Sequence, residues 1–535
     1  MNILLTIAGL LASNHSYAAS LSGSHTINAL SVIVLYLSFC GWIIWRYKKR
    51  TAQTLLENSL VNANLYDENS ILIGYASQTG NAEQLAKKTA ESLKTAGLIV
   101  EIYALSVIDS AILQNFSRVL FVVSTTGEGD VPDNASDFLV KVMLSDANYA
   151  HLKYGILALG DASYTHFCGF GHTLDTWLQH THAVPLFDMV EVDRNDDGAL
   201  RHWQYQLGVL AQNTEMADWK TPDYQQWQLS NRTLVNKGSV GAPVYHLKLV
   251  VPKARIQSQV GQWQAGDIAE IGPRNAQQSV DAFLNRLKLN DVVKIESEQI
   301  SLSQALQNKL LPHDDIGFEA LFGLNAEAVL LALKTLPHRE YSIASIPQDG
   351  NLELLIRQTH YLDGRLGIGS GWLTEHAIVG SNIALRIRQN AAFHPPASDI
   401  PLILIGNGTG IAGLRAHLKT RVALGHRNNW LIFGERNAAY DFYFKDELHN
   451  WHSQGLLTKL DTAFSRDQAE RIYVQDILKS SASEILNWVE NGAAIYVCGS
   501  ASGMAPAVHN ALLEILGETS LATLTAAGRY RRDVY

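Results

Sequence analysis

The sequence predicts one transmembrane helix followed by three soluble modules: a doubly wound α/β domain, an antiparallel β-barrel with a helical insert, and a second α/β domain. Three observations lead there. Apolar strands at residues 71–75, 119–123 and 154–158 each run into a polar, glycine-containing loop. From Val235 the pattern changes to short alternating segments such as 244–251, as in an antiparallel barrel. At Ile400 the alternation of strand, glycine loop and helix returns.

A chain of 535 residues, 47% hydrophobic, is expected to form three or four domains with ample cores. Its net charge of -9 argues against nucleic-acid binding. Cys40, Cys168 and Cys498 lie far apart, without the spacing of a metal site or a disulfide framework, so a reducing compartment and no metal are expected. Residues 1–26 read as a signal-like extracytoplasmic segment: the apolar stretch 3–12 is too short to span, and Ser16, Tyr17 and Ala18 resemble a cleavage site. Residues 27–45 carry no charge, approach the ~20 residues a bilayer requires, and end in Trp42 and Trp45, so they read as a transmembrane helix. Arg46, Lys48, Lys49 and Arg50 follow at once. The positive-inside rule then places everything beyond them in the cytoplasm, on the inner membrane, with 46–69 as a basic juxtamembrane linker.

Residues 70–212 form the first α/β module. The loop Ser77, Gln78, Thr79, Gly80 and Asn81 lies between a strand and a helix whose first amides point back at it, which suits a phosphate. No lysine follows Gly80 as in a nucleoside-triphosphate loop. Ser124, Thr125, Thr126, Gly127 and Gly129 follow the second strand; Leu159, Gly160, Asp161, Tyr164 and Phe167 follow the third. In a doubly wound sheet such loops meet outside the carboxyl ends of the strands. On these loops the chain resembles a flavodoxin domain. The resemblance implies FMN, its phosphate on the first loop and its ring flanked by the other two, with Tyr164 as the stacking aromatic.

Residues 213–232, rich in Gln, Thr, Asn and Asp and containing Pro222, read as a linker. The barrel covers 233–395, and helical periodicity marks an insert at about 272–337. Arg339, Tyr341 and Ser342 lie on one short strand, where extended geometry puts Arg339 and Tyr341 on one face and Ser342 on the other. Gly367, Gly369 and Ser370 open a helix, a second phosphate-grade terminus. Arginine grips a pyrophosphate bidentately and tyrosine covers a flavin face. Together these runs resemble the dinucleotide site of the ferredoxin reductases, which implies FAD, with Arg339 and Ser370 near the pyrophosphate and Tyr341 against the ring.

Residues 396–535 form the last module. Gly408, Thr409 and Gly410 follow the strand 402–405, and Ser465, Arg466, Arg471, Tyr473 and Gln475 supply a set able to hold the phosphate monoester that distinguishes NADPH from NADH. Asn407 and Gly413 replace prolines common in relatives, and His394 and Pro395 replace an Arg-Leu pair. By the same resemblance Ser342, Cys498 and Asp533 surround the nicotinamide, and Tyr535 covers the FAD until the nicotinamide displaces it.

From residue 71 to 535 the chain is therefore similar to the diflavin reductases, the family of NADPH-sulfite reductase flavoprotein subunits and NADPH-haemoprotein reductases. The resemblance implies electron flow from NADPH to FAD to FMN to a one-electron acceptor. The expected anchor favours a haem membrane protein or a ferric reduction system as that acceptor. Two alternatives stand beside it: the flavoprotein subunit of a soluble sulfite reductase haemoprotein, and an anchored flavin relay module without NADPH activity of its own.

Overall fold

Continuous apolar runs buried on both faces build the first sheet of the computed structural model, which describes residues 70–535 apart from 79, 127–128, 133–134, 146, 214, 221–222, 252–261, 291–300, 397 and 502. The expected segments 1–26, 27–45 and 46–69 lie outside the described residues. Among the described residues no helix is long and apolar enough to cross a membrane.

Strands β1 (Ser70–Ala76), β2 (Ile99–Ala104), β3 (Arg118–Ser124), β4 (Lys153–Gly160) and β5 (Val184–Pro185) pair in parallel in the order β2-β1-β3-β4-β5, and β6 (Val190–Asp193) also pairs with β4. The order reverses between β1 and β3, which opens a crevice at their carboxyl ends. Helix α1 (Asn81–Thr95) buries Ala82, Leu85, Ala86 and Leu93, the spacing of one helical face. It shares that side of the sheet with α3 (Asp197–Leu210), whose Trp203 and Leu207 join the same core. Helix α2 (Gly169–His180) covers the opposite side through Phe170 and Leu174.

The second module is antiparallel. Its strands are β7 (Gln225–Leu234), β8 (Val244–Val250), β9 (Ile268–Gly272), β10 (Arg339–Ser342), β11 (Leu352–Arg357) and β12 (Asn382–Arg388), in the order β10-β9-β12-β7-β8-β11. A bridge between Ile343 and Leu354 joins the two ends of that path and closes the barrel. The linker is shorter than the composition suggests, because β7 already begins at Gln225. Its polar residues alternate with Trp227 and Leu229, which are fully buried in the barrel. Helices α4 (Gln277–Leu287), α5 (Leu302–Leu306), α6 (Asp315–Glu319) and α7 (Ala326–Ala332) form the insert around their own apolar cluster. The short α8 (Ile368–Gly371) precedes β12.

The third module is a parallel sheet of β13 (Leu402–Asn407), β14 (Asn429–Glu435), β15 (Lys459–Phe464), β16 (Ala494–Gly499) and β17 (Tyr530–Val534), ordered β15-β14-β13-β16-β17. Helices α9 (Ile411–Ala423), α10 (Val474–Ser480), α11 (Met504–Leu516) and α12 (Glu518–Ala526) connect them. The chain's last residues are thus an edge strand with Asp533 opposite Cys498 in register.

The modules are joined by different physics. Val244, Ala344, Leu355 and Phe393 of the barrel belong to one buried cluster with Ile411, Leu414 and Tyr496, so barrel and third module share an apolar core. Arg415 of α9 reinforces it, donating to the Ala344 carbonyl at 2.7 Å and pairing with Glu353 at 2.7 Å. The first module instead meets the barrel through charges: Arg201 with Glu270 at 2.9 Å, both buried, and His202 with Glu340 at 2.7 Å. Arg532 of β17 also pairs with Asp188 of the first module.

Candidate functional site

In the first crevice Gly80 adopts the left-handed conformation, φ 88°, just before α1. Its amide donates to the Ser77 hydroxyl at 2.9 Å, which folds the loop over the helix terminus. Ser124 ties the second loop to β1 by donating to the Ala76 carbonyl, and Thr125 ties it to the third by donating its amide to the Leu159 carbonyl. The three loops therefore form one rim. Tyr164 stands on it half exposed, and the Asp161 carboxyl beneath is held below its ordinary range by two hydrogen bonds from Ser163. Thr126 Oγ1 is buried without a partner among the described residues, a polar atom the rim leaves to a ligand. These features fit a flavin mononucleotide. Phe167 packs against the core below the rim, and Gly160 is tight against it, since a Cβ there would lie 2.9 Å from the Phe167 ring. Thr79 and Gly127 lie outside the described residues. Asn195, which accepts from Asn81 Nδ2 at 2.6 Å, completes the rim and carried no glycine-loop signal in the sequence.

The second site lies where α8 meets β10. A Cβ on Gly369 would fall 2.4 Å from Arg339 Cγ and 2.7 Å from the Tyr341 hydroxyl, so the helix backbone rests on the face that carries both. Ser370 is turned inward, its hydroxyl 2.8 Å from Thr359 Oγ1 and accepting from the Thr359 amide, while Gly367 leaves room for that threonine. An arginine, a tyrosine and a side-chain-free helix start brought together this way fit an FAD.

The third site is a cavity of about 670 Å³ at the carboxyl ends of β13, β14 and β15. It is lined by Gly408, Thr409, Ser465, Arg466, Arg471, Tyr473 and Gln475, all expected there from the sequence, by Tyr535, which the resemblance placed over the FAD, and additionally by Arg357, Glu435 and Arg436. Gly410 sits just behind, where a Cβ would meet the Cys498 carbonyl at 2.2 Å. Four arginines around one cavity suit a nucleotide bearing several phosphates.

Comparison with known proteins agrees with this geometry. Residues 73–203 match the Flavodoxin family and residues 404–510 the Oxidoreductase NAD-binding domain family. The NADPH sulfite reductase flavoprotein alpha-component of Vibrio vulnificus is 30% identical, over 87% of this chain and 87% of its own length. The Shewanella oneidensis protein of that name is 31% identical over 87% and 90%, and the Vibrio parahaemolyticus one 27% identical over 95% and 94%. The chain belongs to the diflavin reductase family. It is an NADPH-dependent flavoprotein reductase, and its cofactors are FMN, FAD and NADPH.

Between the second and third sites of this reductase lies a small polar cluster. Ser342 donates to Asp533 Oδ2 at 2.8 Å, and Cys498 Sγ lies 3.6 Å from the same oxygen. Burial raises the Asp533 carboxyl above its ordinary value, opposed by the Ser342 hydrogen bond and by the positive charge of Arg388. Burial and the adjacent carboxylate push the Cys498 thiol well up, so it stays neutral. Tyr535 is anchored by its amide to the Gly499 carbonyl at 3.0 Å, and its hydroxyl reaches Thr409 Oγ1 at 3.3 Å. The tail thus brings Asp533 to the cluster and Tyr535 to the cavity wall. Arg388, in contact with Glu340 at 3.1 Å, is a member of this neighbourhood that sequence motifs did not mark.

Proposed function

We propose that this diflavin reductase passes electrons singly to a haemoprotein partner, as the flavoprotein component of a sulfite reductase. The observation that carries the reading is similarity over nearly nine tenths of both this chain and the relatives. When bound, FAD would supply the two-electron chemistry that NADPH requires and FMN the one-electron chemistry that a haem requires, and the protein's own residues would bind, orient and shield them. Ser77, Gly80 and Tyr164 hold and cover FMN; Arg339, Tyr341 and Ser370 serve FAD. Ser465, Arg466, Arg471 and Tyr473 hold the phosphate monoester of NADPH. The Asp533 carboxylate, oriented by Ser342, favours positive charge developing beside it, and the neutral Cys498 thiol packs against that carboxylate. Tyr535 shields the flavin face from water between turnovers.

We read residues 27–45 as an inner-membrane anchor with the catalytic modules in the cytoplasm, on the strength of an uncharged segment followed by Arg46, Lys48, Lys49 and Arg50. The same segment favours a second acceptor, a membrane haem protein or ferric reduction system. The deciding experiment mixes the full-length protein, NADPH and a sulfite reductase haemoprotein and follows the haem spectrum and sulfide formation. Reduction of the haem with sulfide release supports the first acceptor. If NADPH reduces a generic dye but not this haemoprotein, while a haem protein co-purified from membranes is reduced, the membrane acceptor takes its place.

A further inference from the structure

The cavity holds a carboxylate that the phosphate chemistry does not call for. Glu435, the last residue of β14, has a side chain only 5% exposed, yet it lines a space built for an anion. It is fully engaged: Arg357 pairs with Oε1, the Arg436 amide donates to Oε2 at 2.7 Å, and the Tyr443 hydroxyl lies 3.5 Å from Oε1. Arg357 belongs to the barrel, at the end of β11, and it reaches the third module over Gly408. Gly408 has φ 57°, and a Cβ there would lie 3.0 Å from Arg357 Nη2, so a bare backbone is what lets the guanidinium pass. Of the cavity's four arginines, Arg357 and Arg436 pair with Glu435, the latter at 3.6 Å. Arg466 and Arg471 lie beyond β15 with Ser465 and Tyr473, whereas Arg357 stands over the glycine turn that follows β13. In a doubly wound sheet the turn after that strand is where a dinucleotide's diphosphate approaches the backbone.

We propose that Arg357 is a diphosphate-binding residue of the nucleotide cavity and that Glu435 is its positioning residue, so that nucleotide recognition is divided between two modules. The barrel supplies the charge for the diphosphate, which NADPH and NADH share. The third module supplies the charge for the monophosphate, which only NADPH has. Glu435 holds the guanidinium over the turn, and Arg357 cancels a carboxylate that would otherwise repel the ligand. This rests on reading the cavity as the NADPH site.

The test is binding to the full-length holoprotein, measured by calorimetry with two fragments: ADP-ribose, which has the diphosphate but no 2′-phosphate, and 2′-AMP, which has the 2′-phosphate but no diphosphate. Arg357→Gln is expected to weaken ADP-ribose about tenfold or more, the usual cost of a lost charge-assisted bond, and to leave 2′-AMP unchanged. Arg466→Ala gives the opposite pattern. The double variant Arg357→Gln, Glu435→Gln removes the uncompensated carboxylate; it is expected to recover part of the ADP-ribose affinity, and it supplies a neutral pair should the single variant lose its flavins. Unchanged ADP-ribose binding in both Arg357 variants, with Arg466→Ala behaving as stated, overturns the proposal alone. If wild-type protein binds neither fragment, or Arg466→Ala leaves 2′-AMP binding intact, the NADPH reading of the cavity fails as well.

Discussion

His338→Gln tests the charge cluster that seats the first module on the barrel. His338 is buried; its Nδ1 donates to Asp218 Oδ1 at 2.8 Å, and its Nε2 faces Glu340 Oε1 at 3.5 Å. Burial alone would lower its pKa, but the two carboxylates outweigh it and raise the imidazole from 6.5 to about 9. A group raised in the folded state stabilises fully below its unfolded pKa and loses that contribution as pH rises through the folded one. The stabilisation is therefore complete below about pH 6.5, declines between there and about pH 9, and is absent above. At about 1.4 kcal/mol per pKa unit the difference amounts to roughly 3 kcal/mol. Urea unfolding followed by tryptophan fluorescence at pH 6, 7.5 and 9.5 measures it. Wild-type stability should fall by about that amount relative to the variant across the range. Parallel profiles for the two proteins would refute the argument. Because Glu340 also holds His202 of the first module, the same alkaline titration is expected to loosen that module, visible as an increase in radius of gyration by small-angle scattering.

Three further outcomes concern the reaction. Arg466→Ala should raise the Michaelis constant for NADPH about tenfold or more while sparing NADH, because losing a charge-assisted hydrogen bond costs ~1.5–3 kcal/mol; equal effects on both nucleotides would make the arginine structural. Ser342→Ala removes a hydrogen bond that lowers the Asp533 pKa, so in stopped-flow flavin reduction the acid limb of the pH profile should move to higher pH; an unmoved limb would exclude Asp533 as the titrating group. Tyr535→Ala should improve use of NADH, since it uncovers the flavin face and lowers the cost of nicotinamide entry, and an unchanged ratio of kcat/KM for the two nucleotides would take the tail out of the site.

Much of this protein is encoded in short windows. The glycine-containing turns precede helices, and that chemistry is local: Gly80 takes the left-handed conformation just before its helix. Hence the three sets of glycine-rich turns were readable from spacing, while the nucleotide assigned to each was implied by the family resemblance, and one cavity is lined by the arginines, serine and tyrosine picked out beforehand. Strand β7 was partly hidden because glutamines occupy its outward face, so only Trp227 and Leu229 reveal its period. The acidic residues from the end of β6 to the start of α3 are paired within the fold: Asp193 binds Arg194 and accepts from the Ala162 amide, Asp196 caps α3, and Asp197 pairs with Lys220.

By itself the sequence determined the alternation of strand, glycine-rich turn and helix in the two α/β modules and the short strands of the barrel, because backbone geometry depends on neighbours a few positions away. Only tertiary structure decided which residues from different modules meet. Ser342 reaches Asp533 across 191 positions and His202 reaches Glu340 across 138, while Arg357 enters a cavity built by another module. Those contacts arise from how the barrel's apolar core is shared with the third module and how the first is held by buried charge. No periodicity along the chain records either, since the partners are set by packing in space and not by distance in sequence.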